Sequence, residues 1–205
     1  MGVTGLGIVD AVGWAGATAA VLFMLVFTVD GWTRTGYRPD YHPVSALALG
    51  GRGWLQKANF IVCGGGIAIG SLALIEVSIL LTLGIGVFGM ALIASGVFTM
   101  DPMRSYPPGT PAGNPASFSR RHELHDHAGM VVFATVPIAA GIATFTPQLS
   151  DPLRVYSAVI AAVVTVGFLA FGQAWENDSA RTGLWQRLTI LVGWSWLAVL
   201  LAISA

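Results

Sequence analysis

The densest group of chemically versatile side chains is the run RRHELHDH, at residues 120–127. If this run forms the first turns of a helix, His122 and Asp126 share a face, because residues four apart are neighbours on a helix. Histidine titrates near neutral pH, so His125 is a candidate base or orienting partner in acid–base catalysis. The alternative interpretation is a solvated, charged helix start, in which the helix dipole favours the acids.

A metal site in the same run is a second candidate. His122 and His125 are three residues apart and could bind zinc or iron together with Asp126. The zinc-protease pattern HExxH is not met, since Asp126 stands where its second histidine belongs. The interiors of the long hydrophobic segments contain no histidine that could ligate a haem. The sequence therefore predicts no cofactor and leaves a divalent metal open at these three side chains.

Asp101, His42 and Tyr106 are the other candidate catalytic residues. Asp101 ends a long hydrophobic segment. Partial burial there would raise the pKa of its carboxyl group and suit it to proton transfer, although the residue could also simply mark the water boundary. His42 could supply a base. Tyr106 begins the turn Tyr-Pro-Pro-Gly, which is either a structural corner or a lid that positions the phenol as a donor.

Further residues are candidates for binding a substrate. Ser45 could cap a short interfacial helix that begins at Ala46, or act as a nucleophile beside a histidine. Trp54 could anchor the same segment in the membrane interface. Arginine side chains bind anionic head groups and diphosphates, and the candidates for that role are Arg104, Arg120 and Arg121.

The elements that must position these residues are membrane spans. Hydrophobic residues make up 55% of the 205 residues and charged residues only 10%, whereas a soluble domain carries about 25% charged residues. A transmembrane helix needs about 20 mostly apolar residues. Six segments approach or reach that length: 11–29, 58–75, 77–100, 128–147, 155–175 and 188–204. These runs are apolar on both faces, which excludes the alternating strands of a barrel and predicts one all-α domain of six transmembrane helices over residues 1–205.

Small residues recur on the predicted second and third spans. In lipid, such residues let helices approach closely, so we expect them at helix contacts. They are Gly64, Gly65, Gly66, Gly70, Gly84, Gly86 and Gly89.

The polar residues are distributed unevenly between the two ends of the predicted bundle. With six spans, the segments 30–57, 101–127 and 176–187 fall on one side, and they contain nine of the ten basic residues, all four histidines and seven of the ten acids. The positive-inside rule assigns this side to the cytoplasm and both termini to the outside. Long loops are usually either functional or disordered, and because these contain aromatic and apolar residues we expect ordered loops that fold back on the bundle.

Four motifs in the loops form a recognisable set: YHPVSALALGGRGWLQKANF at residues 41–60, SGVFTMDP at 95–102, YPPG at 106–109 and LHDHAG at 124–129. With these motifs the chain resembles the domain-of-unknown-function family 998, a group of small multi-pass membrane proteins. The resemblance covers most of the chain, from the first span to the sixth.

This resemblance implies a fold and a set of positions but no settled activity. It makes Asp101 the preferred acid, and it matches His125 to the family's histidine at the start of the fourth span. His122 and His127 are not positions of the family pattern.

These observations favour a small membrane enzyme. Asp101 would act as the acid and His125 as the base or orienting partner, in the isomerisation, cyclisation or hydrolysis of a lipid or isoprenoid-like substrate at the cytoplasmic interface. The alternatives are a small-solute transporter or channel, and a non-catalytic lipid-binding or assembly subunit. Balanced charge offers no field for a nucleic acid, so the expected partner is a membrane lipid or lipid-like molecule, and the sequence leaves a homo-oligomer open.

Overall fold

A computed structural model describes residues 3–205, and the surroundings of side chains from Gly7 onward. The described chain contains six α-helices, two short 3₁₀ helices at Val44–Ala48 and Ser71–Leu74, and no β-strand. All six α-helices are long and apolar enough to cross a membrane, which confirms the predicted all-α, six-span fold. The helices are α1 (Val3–Trp32), α2 (Gly53–Gly70), α3 (Ile79–Val97), α4 (Arg120–Thr144), α5 (Asp151–Glu176) and α6 (Thr182–Ile203).

Several helices extend beyond the apolar runs that predicted them. Helix α4 begins at Arg120 instead of residue 128, so the charged run does form its first turns. Its start is set by Ser119, whose hydroxyl oxygen accepts a hydrogen bond from the backbone N–H of His122 at 3.2 Å. Helix α2 begins at Gly53 and gives way to a 3₁₀ turn at Ser71.

The six helices form a closed ring in chain order, in which each packs against its sequence neighbours and α6 packs against α1. Aromatic side chains fill the centre of the ring. Trp194 of α6 lies with its ring centroid 5.9 Å from that of Phe23, 4.8 Å from that of Phe88 and 6.4 Å from that of Phe133. The centre of the bundle is therefore a packed aromatic core.

Glycine allows a close helix contact between α2 and α3. A Cβ added at Gly64 would lie 2.7 Å from the backbone oxygen of Gly89, and one added at Gly89 would lie 2.6 Å from the backbone oxygen of Gly64. By contrast, a Cβ at Gly65 or Gly84 would meet nothing within 4 Å. Only some of the predicted glycines thus lie at helix contacts.

Three connecting segments, 33–52, 98–119 and 177–181, lie together at one end of the bundle, and we call them the loop layer. The imidazole Nε2 of His42 donates to the backbone oxygen of Arg104 at 3.0 Å. The Arg104 guanidinium in turn donates to the Trp175 oxygen at 2.8 Å, and the backbone N–H of Leu184 donates to the oxygen of Asp40 at 2.9 Å. The Tyr41 hydroxyl donates to a carboxylate oxygen of Asp178 at 2.7 Å, so contacts join the three segments to one another and to the ends of α5 and α6.

Candidate functional site

A cavity of about 330 Å³ lies where α4 and α5 meet the loop layer, and we call it the outer cavity. Six aromatic and methionine side chains line it, and its polar lining consists of Ser45, His122, His125, Asp126, Glu176 and Gln186. Helices α4 and α5 are joined only at their far ends, through residues 145–150. Met130, which lines the outer cavity, is 59% exposed, so the cavity reaches the outer surface of the bundle beside α4.

A smaller inner cavity of about 30 Å³ adjoins the outer one and reaches the aromatic core at Trp194. The two cavities share part of their lining, including Ser45, His125, Phe133 and Gln186. A space of about 10–15 Å³ is enough for one water molecule. The inner cavity therefore has room for a water molecule or for the oxygen of a small polar group.

His125 lies between the two cavities and is held in one orientation by the backbone of α3. Its Nδ1 is 3.1 Å from the carbonyl oxygen of Ser95 and 2.8 Å from that of Phe98. Both partners can only accept hydrogen bonds, so the neutral ring carries its proton on Nδ1. The lone pair of Nε2 is then available to accept a proton or a hydrogen bond.

Trp194, Gln186 and Ser45 surround the inner cavity with further polar groups. The Trp194 indole is 1% exposed, and its buried N–H has no hydrogen-bond partner within the part of the chain that the structure describes. The Gln186 side-chain oxygen accepts from the backbone N–H of Val44 at 2.6 Å, which leaves its amide nitrogen as a donor. Since buried polar groups normally find partners, this group of side chains suits a bound oxygen atom.

His122 links the outer cavity to the junction of α3 and α4. Its Nδ1 accepts from the backbone N–H of Asp101 at 2.9 Å, and its Nε2 lies 3.1 Å from a carboxylate oxygen of Asp126. The ring of Phe118 stacks on the imidazole, with centroids 4.3 Å apart. Both ring nitrogens therefore have hydrogen-bond partners, and the Nε2–H donates to the Asp126 carboxylate.

Asp101 binds Ser119, the N-cap residue of α4, and does not line either cavity. One of its carboxylate oxygens accepts from the Ser119 hydroxyl at 2.6 Å, and the other accepts from the Ser119 backbone N–H at 2.7 Å. Partial burial acts to raise the pKa of Asp101, but the two Ser119 hydrogen bonds and the nearby His122 outweigh it and lower that pKa below its usual value. The prediction that its pKa is raised is wrong, because the carboxylate is stabilised in its ionised form.

His42 and Tyr106 lie together inside the loop layer instead of facing the cavities. The His42 ring accepts from the backbone N–H of Arg38 at 2.9 Å, in addition to its bond to the Arg104 oxygen. Burial lowers the pKa of His42, and the positive charges of Arg38 and Arg187 add to that effect. The Tyr106 hydroxyl accepts from the Arg34 guanidinium at 3.3 Å. The polar groups of both side chains thus bind other residues of the loop layer.

The three arginines predicted to bind a head group do not line the cavities. Arg104 is 2% exposed, and its guanidinium lies 3.9 Å from the ring centroid of Trp175 and 3.3 Å from a carboxylate oxygen of Asp178. Arg120 is exposed, and Arg121 donates to the backbone oxygen of Val97 at 3.0 Å. This geometry contradicts an anion site built from the three of them around either cavity.

Ser45 and Trp54 also differ from the sequence interpretation. The short helix begins at Val44, is mostly buried, and has Pro43 at its N-terminal cap position with no side-chain hydrogen bond there. Ser45 therefore caps nothing and lines both cavities instead. Trp54 is 66% exposed in the first turn of α2, away from the cavity linings.

The candidate metal ligands do not converge. No group of three or more His, Cys, Asp or Glu side chains able to hold a metal occurs in the part of the chain from Gly7 to Ala205. His125 turns its Nδ1 toward α3, whereas His122 pairs with Asp126.

Sequence reasoning missed two features of this end of the bundle. Asp30 is 1% exposed and binds the guanidinium groups of both Arg34 and Arg52. The four-residue spacing of Asp30 and Arg34 makes them neighbours on a helix, so the sequence itself indicates this ion pair. Gln186 was the other omission, and Trp194, which its residue type assigns to the interfacial aromatic belt, is instead buried in the core.

Comparison with known proteins identifies a family. The family described as "Protein of unknown function (DUF998)" matches residues 17–203, a range that contains every residue of the two cavities. No curated protein and no solved structure matches the chain significantly. The chain, a multi-pass membrane protein with its polar residues gathered at one end, therefore belongs to the DUF998 family of proteins of unknown function.

Proposed function

We propose that this protein is a membrane-embedded enzyme that acts on the polar end of a lipid-like molecule held between α4 and α5, with His125 as the proton acceptor. The observation that carries the proposal is the fixed tautomer of His125. Its Nδ1–H is bound to two backbone carbonyls of the α3 end, so its basic Nε2 is left for a ligand in the adjoining cavities.

The chemistry of the proposal is a proton transfer at an oxygen atom. His125 Nε2 takes the proton of a substrate hydroxyl, or of a water molecule in the inner cavity, and the ring becomes a cation. The indole N–H of Trp194 and the amide of Gln186 are donors that stabilise the negative charge left on oxygen. Isomerisation, cyclisation and hydrolysis all accommodate such a first step, and the products distinguish them.

His122, Asp126 and Asp101 have supporting roles in this proposal. The Asp126 carboxylate receives the Nε2–H of His122, and the Asp101 backbone holds the other side of that ring. Asp101 is thus a positioning residue here, in place of the general acid expected from the sequence. Its own carboxylate binds Ser119 and so fixes the start of α4, the helix that carries both histidines.

The size and walls of the outer cavity support a lipid-like substrate. Its volume of about 330 Å³ lies in the range of small-molecule sites, roughly 300–1,000 Å³. Phe133, Phe168 and Phe171 line it, and it reaches the outer surface of the bundle at Met130. The aromatic packing at the centre of the ring offers no polar path through the bundle, and this favours an enzyme over a solute carrier.

A comparison of membrane lipids tests this proposal. Lipids would be extracted from cells that express the wild type, His125→Gln, His127→Ala or no copy of the protein, and quantified by mass spectrometry. Glutamine keeps an N–H for the carbonyls of Ser95 and Phe98 but has no basic nitrogen, whereas His127 is exposed on another face of α4.

We expect one lipid class to be converted in wild-type and His127→Ala cells and left unconverted in His125→Gln cells. Equal folded amounts of the three proteins are checked by chromatography of the purified samples. Identical lipid profiles with and without the wild-type protein would overturn the enzyme proposal, and full conversion by His125→Gln would overturn the role of His125.

A further inference from the structure

The polar groups at the inner cavity select a particular type of ligand. The one unprotonated nitrogen is Nε2 of His125, an acceptor, as its Nδ1–H is already bound to carbonyl groups. The buried indole N–H of Trp194, which lacks a partner among the described residues, is a donor. A hydroxyl group both donates and accepts, so a single oxygen atom can satisfy the two side chains together.

The ionisable residues around the cavities argue against an anion. The linings of the outer and inner cavities include the acids Asp126 and Glu176 and the histidines His122 and His125, but no lysine or arginine. Arg104 lies behind this lining against Trp175, and its charge is paired with Asp178. A phosphate or carboxylate placed here would meet like charges at the rim and no basic partner.

We propose that the site binds an uncharged amphiphile by its terminal hydroxyl group, with the oxygen in the inner cavity between Trp194 and His125 and the apolar chain in the outer cavity. This inference rests on the proposed function for its choice of site, and it names the substrate class: a long-chain alcohol, not an anionic lipid or a diphosphate. The aromatic wall of the outer cavity suits the chain, and the small inner volume of about 30 Å³ suits one oxygen atom.

Three probes of equal chain length test the inference: decanol, decanoate and decane. The full-length protein, labelled with ¹⁵N at tryptophan and held in nanodiscs, would be titrated with each probe while the indole N–H signals are followed by NMR. The Trp194 signal is identified by its loss in Trp194→Phe, a variant that keeps an aromatic ring in the core. Trp54→Phe, which changes an exposed residue outside the cavities, is the matched control.

We expect decanol to shift the Trp194 signal, decane to leave it in place, and decanoate to bind at least fivefold more weakly than decanol. In His125→Leu, which offers no acceptor, decanol binding should weaken about fivefold, which corresponds to the loss of one typical hydrogen bond. Equal or tighter binding of decanoate, or an equal shift with decane, would overturn the inference.

A second measurement covers the case in which Trp194→Phe does not fold. Retention of radiolabelled decanol and decanoate is compared between the wild type and Gly172→Phe. Gly172 lines the outer cavity, and a Cβ there meets nothing within 4 Å, so the larger side chain should obstruct the opening and lower decanol retention to the level of decanoate. Unchanged retention would count against the site.

The binding experiments and the lipid comparison can fail independently of each other. If decanol binds as expected but no cellular lipid is converted, the enzyme proposal fails and the ligand class stands. If a lipid is converted but decanoate binds as well as decanol, the ligand class fails and the enzyme proposal stands.

Discussion

At the scale of single residues, hydrogen-bond partners decide which histidines are available for chemistry. His42 and His122 each use both ring nitrogens within the protein. His125 uses only Nδ1. Residue type and spacing pointed to the run that contains His125, but the partners that distinguish His125 from His42 and His122 come from α3 and the loop layer, which are distant in sequence.

Asp101 should contribute to stability only while it is ionised. Its folded pKa lies below the ordinary value of 3.8, so its contribution is present above that value and is lost as the pH falls through the folded pKa. We expect Asp101→Asn to cost about 1 kcal/mol near neutral pH, since hydrogen bonds to a charged group are among the stronger ones.

Thermal unfolding of both proteins over a series of pH values checks this prediction. The difference between wild type and Asp101→Asn should shrink below about pH 4, where the wild-type carboxyl group also becomes neutral. A difference that stays constant down to the lowest pH would contradict the assignment of an ionised Asp101 carboxylate.

His42 should make the protein sensitive to mild acid. Its pKa in the folded protein lies below the ordinary 6.5 because of burial, so the unfolded chain binds the proton more readily. Stability is then fully present above the unfolded pKa and falls as the pH drops below about 6.5.

The test compares the change in melting temperature between neutral pH and about pH 5.5, a range in which unperturbed histidine titrates. His42→Gln should lose less on acidification than the wild type does, although it starts lower because the contacts to Arg38 and Arg104 are altered. His127→Gln, at an exposed position, should behave as the wild type. An unchanged acid response in His42→Gln would show that another group titrates.

At the scale of helices, the apolar runs predicted which segments are helical but not where each helix ends. Seven of the eight residues at 120–127 are polar, and yet the segment is helical because Ser119 caps the first turn and Asp101 holds Ser119 in place. Such ends depend on local side-chain partners, and hydropathy does not encode them. The outer cavity could not be predicted either, because it depends on how far apart α4 and α5 lie at their unconnected ends.

The contact between α2 and α3 gives a prediction with a matched control on one helix. Gly89→Ala should destabilise the protein by about 1–3 kcal/mol, the usual cost of overpacking, because the new Cβ would lie 2.6 Å from the Gly64 oxygen and 2.7 Å from the Ala68 nitrogen. Gly84→Ala, with nothing within 4 Å of its Cβ, should be neutral or slightly stabilising, since alanine favours a helix.

Melting temperatures of the two variants, measured in the same detergent, check this prediction. A fall in both variants would mean that glycine serves a purpose other than helix contact at both positions. An unchanged melting temperature in Gly89→Ala would mean that α2 and α3 move apart to accommodate the methyl group at little cost in free energy.

At the scale of the whole molecule, the concentration of basic residues at the loop end predicts its side of the membrane. That end carries nine of the ten lysine and arginine residues, and the positive-inside rule places it in the cytoplasm. The structure shows that the three connecting segments at this end form one layer, so the basic residues counted in the sequence lie together at one end of the bundle.

Cysteine labelling in intact cells tests the orientation. In a Cys63→Ala background, a membrane-impermeant maleimide should label Gln148→Cys, at the end opposite the loop layer, and should leave Ser117→Cys unlabelled until the cells are opened. Both positions are exposed. The reverse pattern would place the loop layer outside.

The position of the outer cavity near one end of α4 and α5 has a consequence for any lipid that uses it. Only molecules in the leaflet next to the loop layer have their polar ends at the depth of His125. A lipid made or delivered in the opposite leaflet must first flip across the bilayer. The protein would thus act directly on lipid molecules of one leaflet only. Transfer of the substrate between leaflets would limit the rate at which molecules of the opposite leaflet reach it.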